Sequence, residues 1–338
     1  MELELRSNIV ITGGCGFIGS SLVRKLLETE GAKLRVVDNL SVGDRHSIST
    51  LPGFVETNLD DVSSEWNSPL ELIVEDICNP DAMIKCLAGA NHVVHLAANT
   101  GVAPSVENPK FDCMTNVMGV LNCLEAAREN NIDKFVFASS GAPIGEQEPP
   151  QNEKMPARPA SPYGASKLAG EGYCSAYFHC FGINTVGLRF GNVYGPGSAK
   201  KESVVAKFIK RALSHQPLEI YGDGSQTRDF IYLQDLLEAI IASITKKDIG
   251  GELFQIASAK EVTVSEIANH LKSAFEARNL PFPDIMYSEA RMGDVKRNYS
   301  DTRKAYDRLG WRAKTPLPNG VLDTLDYFLQ LNDFAGSK

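Results

Sequence analysis

The sequence predicts an α/β fold, a doubly wound parallel sheet with a smaller C-terminal α/β lobe, on three observations. β-rich runs alternate with helical stretches from Asn8 to Arg189, a glycine cluster directly follows the first run, and glycine and proline turns crowd the chain after Arg189. Parallel strands need crossover connections, so this alternation marks a sheet covered by helices on both faces. With 338 residues, 43% apolar and 22% charged, the chain is large and apolar enough to bury such a core.

Taken in order, 8–12 (Asn-Ile-Val-Ile-Thr) reads as a strand, and 17–30 carries apolar residues at helical spacing. Further strands are expected at 34–38, 72–74, 92–96, 134–139 and 184–189, with a helix over 111–130. The stretch from Gly145 to Pro159, rich in Glu, Gln and Pro, reads as a surface loop. Turns at Gly195-Pro196-Gly197 and Gly222-Asp223-Gly224 open the second lobe, while 230–244 as helix and 253–256 as strand return to the first. The expected division is residues 1–188 with return segments at about 230–257, against 189–229 and 258–338.

Composition excludes several function classes. Lys and Arg number 34 and Asp and Glu 42, a net charge of −8 that disfavours a grip on nucleic acid. The seven cysteines show no zinc-site spacing and are too sparse for a disulfide scaffold, so they read as reduced, mostly buried thiols with no metal implied. The acidic N-terminus, Met-Glu-Leu-Glu-Leu-Arg, does not resemble a secretory signal, and no apolar run reaches the length of a membrane span. A cytoplasmic protein without membrane partners is expected.

Thr12-Gly13-Gly14-Cys15-Gly16-Phe17-Ile18-Gly19 holds G-x-G-x-x-G between the first strand and first helix. There the glycines allow a tight turn and close backbone approach, and the helix N-terminus offers free N–H groups to a pyrophosphate. Asp38, nineteen residues after Gly19 at the end of the second strand, supplies a carboxylate for an adenosine ribose 2′-OH and repels a 2′-phosphate. A Rossmann-type domain binding NAD rather than NADP is the expectation. Asp76 and Ile77, and Leu96, Ala97 and Ala98, follow later strands at the edge where such sheets hold ligands, although either group taken alone reads as structural.

Ser161-Pro162-Tyr163-Gly164-Ala165-Ser166-Lys167 opens a helix, so Tyr163 and Lys167 share a face. An ammonium four residues from a phenol favours the phenolate, which predicts a lowered Tyr163 pKa and a base near neutrality. An isolated pair of this kind reads instead as an exposed Tyr and a solvated Lys. With the glycine loop and with Phe-Ala-Ser139-Ser140 ending a strand, the chain resembles the extended short-chain dehydrogenase/reductases over nearly its whole length. The resemblance adds Ser140, five residues before Gly145, to Tyr163 and Lys167 as catalytic residues, with Ser139 the lesser candidate. It also implies cofactor contacts from Gly13, Gly16, Phe17, Ile18, Gly19, Asp38, Asn39, Ser41, Gly43, Asp76, Ile77, Leu96, Ala97, Ala98 and Asn116, besides Tyr163 and Lys167.

Within that family the chain looks most like the NAD-dependent epimerase/dehydratase branch, the UDP-glucose and UDP-N-acetylglucosamine 4-epimerases above all. Leu188 to Gly197, Ile220 to Phe230 and Arg291-Met292-Gly293-Asp294-Val295 carry the likeness. It implies that Asn192, Arg228 and Arg291 hold a diphosphate, that Tyr221 packs on uracil, and that Val204, Asp294, Asn298 and Ser140 also touch substrate. Two guanidinium groups converging on a diphosphate make charge-assisted, forked hydrogen bonds. The implied reaction is oxidation at the sugar C4 by NAD, rotation of the 4-keto sugar, and return of hydride to its other face. A 4,6-dehydratase is the rival, but Gly141-Ala142 stand where that family carries Asp-Glu. A dinucleotide-sensing or RNA-associated protein is the non-enzymatic alternative, and such relatives commonly lack the Tyr-Lys pair.

Pro143-Ile144, Gly191 and Thr100 depart from the family pattern and are expected at the sugar pocket. Asn298 stands where hexose-restricted relatives have Tyr, which predicts tolerance of N-acetylated sugars. The family further implies a homodimer through the helices 111–130 and 163–180, although Met114, Val117, Leu121 and Leu124 could equally face the protomer's own sheet.

Overall fold

A computed structural model describes residues 7–289 and 295–336. Strands β1 (Asn8–Thr12), β2 (Lys33–Val37), β3 (Phe54–Glu56), β4 (Leu70–Ile73), β5 (His92–His95), β6 (Lys134–Ser140) and β7 (Asn184–Phe190) join the Glu252–Ile256 strand in one eight-stranded sheet. From one edge the order is Glu252–Ile256, β7, β6, β5, β1, β2, β4, β3, every pairing parallel. The chain leaves β1 toward β2 and later returns to β5 on its other side. That reversal makes the gap between β1 and β5 a topological switch point.

Alternation along β1 builds both cores. Ile9 and Ile11 face the helices Phe17–Leu27 and Leu233–Thr245, through Leu22, Leu26, Leu236 and Ile240. Val10 faces the opposite layer, where Met83, Val120, Leu124 and Cys174 come from the helices Pro80–Cys86, Gly119–Glu129 and Pro162–Phe181. A third cluster, including Phe208, Ile209, Ile267, Leu271 and Leu325, belongs to the C-terminal lobe. There the helices Val204–Leu213, Val264–Ala277 and Leu317–Gly336 surround short strand pairs. Leu218–Tyr221 runs beside Ile285–Ser288, Thr227–Arg228 beside Val262–Thr263, and Phe230–Tyr232 beside Asn192–Tyr194.

Several expectations meet a different local structure. β3 has only three residues, two of them exposed, so it leaves no apolar run to read. Residues 230–232 form a strand before the helix starts at Leu233, because Phe230 to Tyr232 pair with Asn192 to Tyr194. The helix expected over 111–130 is two α-helices, Pro109–Cys113 and Gly119–Glu129, joined by a π-helical turn at Met114–Met118. The segment 145–159 is no simple surface loop. Gln151 within it is fully buried, its N–H donates to Tyr299 O at 2.8 Å, and its carbonyl accepts from Asp301 N at 2.7 Å. Of the cysteines, Cys15, Cys86, Cys123 and Cys174 are buried, Cys78 is half-buried, and Cys113 and Cys180 are exposed; all are free thiols. Among the described residues no helix is long and apolar enough to cross a membrane.

Candidate active site

The glycine loop sits at the switch point. Gly13 has φ +70°, and a Cβ there would lie 2.7 Å from Ala97 N, so only glycine lets the loop lie against the end of β5. Leu96 N donates to Thr12 O at 3.1 Å, fixing that junction. A Cβ at Gly19 would lie 2.3 Å from Gly13 O, whereas one at Gly16 would meet only Gly13 O, at 3.3 Å. Gly16 is the N-cap of the helix Phe17–Leu27, and no side chain caps its first N–H groups, among them those of Phe17, Ile18 and Gly19. An anion brought to the loop meets these donors.

Asp38 stands where the adenosine end is expected, directly after β2. It is 8% exposed, and its two carboxylate oxygens accept from Cys15 N and Leu40 N, each at 2.9 Å. Burial raises its pKa, against these hydrogen bonds, and each oxygen keeps a further lone pair for a ribose hydroxyl. Asn39 donates to Asp76 Oδ2 at 2.9 Å and accepts from Ser41 N at 3.1 Å, and Gly43 packs closely on Cys15. Asp76 also accepts from Cys78 N at 2.8 Å, whereas Ile77 is 4% exposed and turns its side chain into the core against Gly119. An open glycine cradle, uncapped helical N–H groups and a carboxylate at the end of β2 fit NAD.

The three residues expected to be catalytic come from β6 and the helix Pro162–Phe181. Ser161 caps that helix, its Oγ accepting from Gly164 N at 3.1 Å, and Pro162 occupies the first turn. Gly170 lets the helix approach β6, since a Cβ there would lie 2.4 Å from the Phe137 ring. This close packing holds the Tyr163 phenol beside the Ser140 hydroxyl. Ser139 is elsewhere, donating to Glu171 at 2.6 Å inside a buried pair in which Arg189 grips Glu171 at 2.7 and 2.6 Å. Lys167 is 3% exposed and donates to Ala138 O at 2.9 Å, with its nitrogen 6.0 Å from the centre of the Tyr163 ring.

The electrostatics correct one expectation. Tyr163 is not lowered: burial pushes it up to about 12, against the Ser140 hydrogen bond, and Asp112 adds to the rise. Lys167 itself is pushed down to about 8 by burial. Spacing along a helix brings the ammonium near, but the loss of water around the phenol is the larger effect.

Of the residues expected at the substrate, Asn192, Val204, Tyr221, Arg228 and Asn298 lie in the second lobe, and Ser140 ends β6. Arg228 donates to Thr227 O at 2.7 Å and Val295 O at 2.6 Å, and the half-buried Asn298 donates its N–H to Thr227 Oγ1 at 3.3 Å. The Tyr221 hydroxyl donates to Glu219 at 2.9 Å, with Lys207 5.6 Å from its ring centre. Asn192 is exposed, and Val204 starts the helix Val204–Leu213. Arg291 and Asp294 lie outside the described residues. Two of the departures are tightly packed. Ile144 is fully buried, and Gly191 leaves no room for a larger residue because a Cβ would lie 2.9 Å from Asp229 O. Thr100 is exposed. Sequence reasoning missed Asn99, Asp112 and Ser166, which surround Asn116: Asn116 donates to Asp112 Oδ1 at 2.9 Å and Ser166 Oγ at 3.2 Å and accepts from Asn99 N at 2.8 Å.

Residues 9–257 match the model of the NAD dependent epimerase/dehydratase family. The chain belongs to that family. Among its members, a putative UDP-glucose 4-epimerase of Methanocaldococcus jannaschii is 36% identical over 96% of this chain and 99% of its own. The structure of the Thermotoga maritima UDP-glucose 4-epimerase with UDP-glucose is similar at a TM-score of 0.85 and 32% identity, covering 96% of this chain and 99% of that one. A UDP-glucuronic acid 4-epimerase of Bacillus cereus, in complex with UDP-glucuronic acid and NAD, matches at a TM-score of 0.84 and 30% identity over 96% and 99%. Membership makes this chain an NAD-dependent enzyme of the short-chain dehydrogenase/reductase type.

Proposed function

We propose that this enzyme interconverts the C4 epimers of a UDP-sugar through a 4-keto intermediate, with Ser140, Tyr163 and Lys167 as its catalytic residues. The observation that carries this reading is that Tyr163, buried at the start of its helix, lies beside Ser140 at the C-terminal end of β6, on the same edge of the sheet as the glycine loop after β1. NAD, when bound, accepts the C4 hydride and returns it to the opposite face, so no net oxidation results. Tyr163 takes the proton of the 4-OH and gives it back to the same oxygen, while Ser140 donates a hydrogen bond to that oxygen. Lys167 holds the nicotinamide ribose and places its positive charge beneath the phenol. Gly141 and Ala142 carry no group able to move a proton, which disfavours elimination across C5 and C6.

The residues 1–188 and about 230–257 form the dinucleotide-binding unit in this reading, and the remainder binds the nucleotide-sugar. Arg228 and Asn192, with Arg291, hold the diphosphate, Tyr221 packs on the base, and Val204, Asp294 and Asn298 complete the pocket. Purified protein incubated separately with UDP-glucose and UDP-N-acetylglucosamine, without added NAD, is expected to form the galacto epimers, read from anomeric protons by NMR. Asn298→Tyr is expected to lose the acetylated substrate first, and equal loss of both classes would contradict the role of Asn298. A 4-keto-6-deoxy product would replace epimerisation by the dehydratase reading.

A homodimer in the cytoplasm is part of the proposal. Phe111 and Met114 are more than half exposed on the first of the two segments expected to pair, and Phe181 just beyond the second, while Leu124 is buried in the protomer's own core. Light scattering is expected to give about twice the 36.8 kDa chain mass, and a monomer at micromolar concentration would reject the dimer.

A further inference from the structure

The first turn of the helix Phe17–Leu27, whose N–H groups face the expected pyrophosphate, lies between two segments of different lobes. On one side the stretch after β2 wraps the glycine loop. A Cβ at Gly43 would lie 2.8 Å from Cys15, Asp44 N donates to Cys15 O at 3.4 Å, and Ser47 Oγ donates to the same carbonyl at 3.1 Å. On the other side, Gly197 of the second lobe has φ +91°, and a Cβ there would lie 3.3 Å from the Phe17 ring and 3.6 Å from Ser21 Oγ. The chain therefore passes directly against that helical turn. It continues as the short 3-10 turn Ser198–Lys200, closed by Lys201 N donating to Ser198 O at 2.8 Å, with Ser198 1% exposed.

An ion pair joins these two segments. Lys200 Nζ donates to Asp44 Oδ2 at 3.2 Å, a contact between residues 156 apart in sequence. The other oxygen, Asp44 Oδ1, accepts from His46 N at 3.0 Å. The carboxylate is thus fixed by its own turn, which lowers the ordering cost that usually offsets a surface pair. The neighbouring cation, Arg45, is engaged elsewhere, with Glu56 at 3.1 Å. The Lys200 and Asp44 side chains are 65% and 45% exposed, so water can reach the bond and it can open without unfolding either lobe.

We propose that Asp44 and Lys200 form a latch between the two lobes beside the pyrophosphate cradle, which opens for NAD to enter or leave and so sets the rate of cofactor exchange. Both ends of the bond belong to the protein walls. A contact of that kind, made whether or not the cofactor lies between the walls, slows entry and exit by the same factor and leaves the affinity unchanged. The latch rests on the binding of NAD and is independent of which sugar the enzyme turns over.

The test is exchange of the NAD held by the purified holoenzyme for isotope-labelled NAD in excess, with affinity read from equilibrium occupancy at limiting NAD. Lys200→Met removes the ammonium at similar length, and Asp44→Asn keeps an acceptor for His46 N. Each is expected to speed exchange about two- to fivefold, the worth of one surface ion pair, with the affinity of wild type. The double variant is expected to be no faster than either single, because both remove the same bond. Lys200→Arg should keep the wild-type rate, and Lys200→Glu should exceed Lys200→Met because it sets like charges face to face. Unchanged exchange in the single variants, or additive effects in the double, overturns the latch. Faster exchange matched by an equal loss of affinity also overturns it, and would make the substituted residue a direct cofactor contact. If Asp44→Asn melts lower through its bond to His46 N, Lys200→Met carries the test by itself.

Discussion

Tyr163→Phe is expected to lower kcat by about 10²- to 10⁴-fold, the usual worth of one positioned acid–base group. The phenol lies beside the Ser140 hydroxyl, so the substitution removes the proton carrier and leaves the ring in place. Stability should change by no more than about 0.5–1.5 kcal/mol, the net value of one hydrogen bond, and less if the burial that raises the phenol pKa is relieved. The decisive comparison is turnover of a UDP-sugar, followed by NMR, against the NAD content of the same preparation. Retained NAD with lost turnover assigns the proton transfer to Tyr163. Turnover within a few-fold of wild type would show that another group moves the proton. The height of the phenol pKa, about 12, adds a condition. In the chain alone, with Lys167 already in place, the phenolate is scarce at neutral pH, so the base becomes effective only when the positive charge of the oxidised cofactor is added.

Some of this was legible in the sequence because backbone constraints leave local marks. The turn between β1 and the first helix requires glycines at fixed positions, and Asp38 ends β2 at the distance that one crossover spans. The eighth strand, Glu252–Ile256, was readable from a short apolar run. The rest depends on where separate segments meet. Asp112 lies in a short helix with Lys110 and Cys113, and nothing local distinguishes it from an exposed acid. Its polar neighbours are Asn116, one turn on, and Asn99 from the segment after β5, with Ser166 of the Pro162–Phe181 helix joined through Asn116. Gln151 sits in a Pro- and Glu-rich stretch and is buried only because residues 299–301 pair with it. The direction of the Tyr163 pKa was misjudged for the same reason: the spacing to Lys167 is local, and the exclusion of water is not.

Gly19→Ala is expected to have the other large effect, on folding and cofactor retention together. An added Cβ would sit 2.3 Å from Gly13 O and 2.6 Å from Gly14 Cα. Both are backbone atoms, so no side chain can swing aside and the loop itself must shift. Overpacking of this kind costs about 1–3 kcal/mol, and here the displaced atoms belong to the turn that aims the helix N–H groups at the pyrophosphate. Gly16→Ala is the discriminating control. Gly16 has ordinary extended angles, φ −78° and ψ −178°, and its Cβ would meet only Gly13 O at 3.3 Å, pointing instead into the open cradle. Gly16→Ala should therefore melt close to wild type yet carry less NAD, whereas Gly19→Ala should lose both melting temperature and NAD. If Gly19→Ala retained both, the loop would have slack that the 2.3 Å approach denies, and the cradle would not depend on this glycine. If both variants lost only NAD, Gly19 would act as Gly16 does, facing the cofactor rather than holding the turn against the helix.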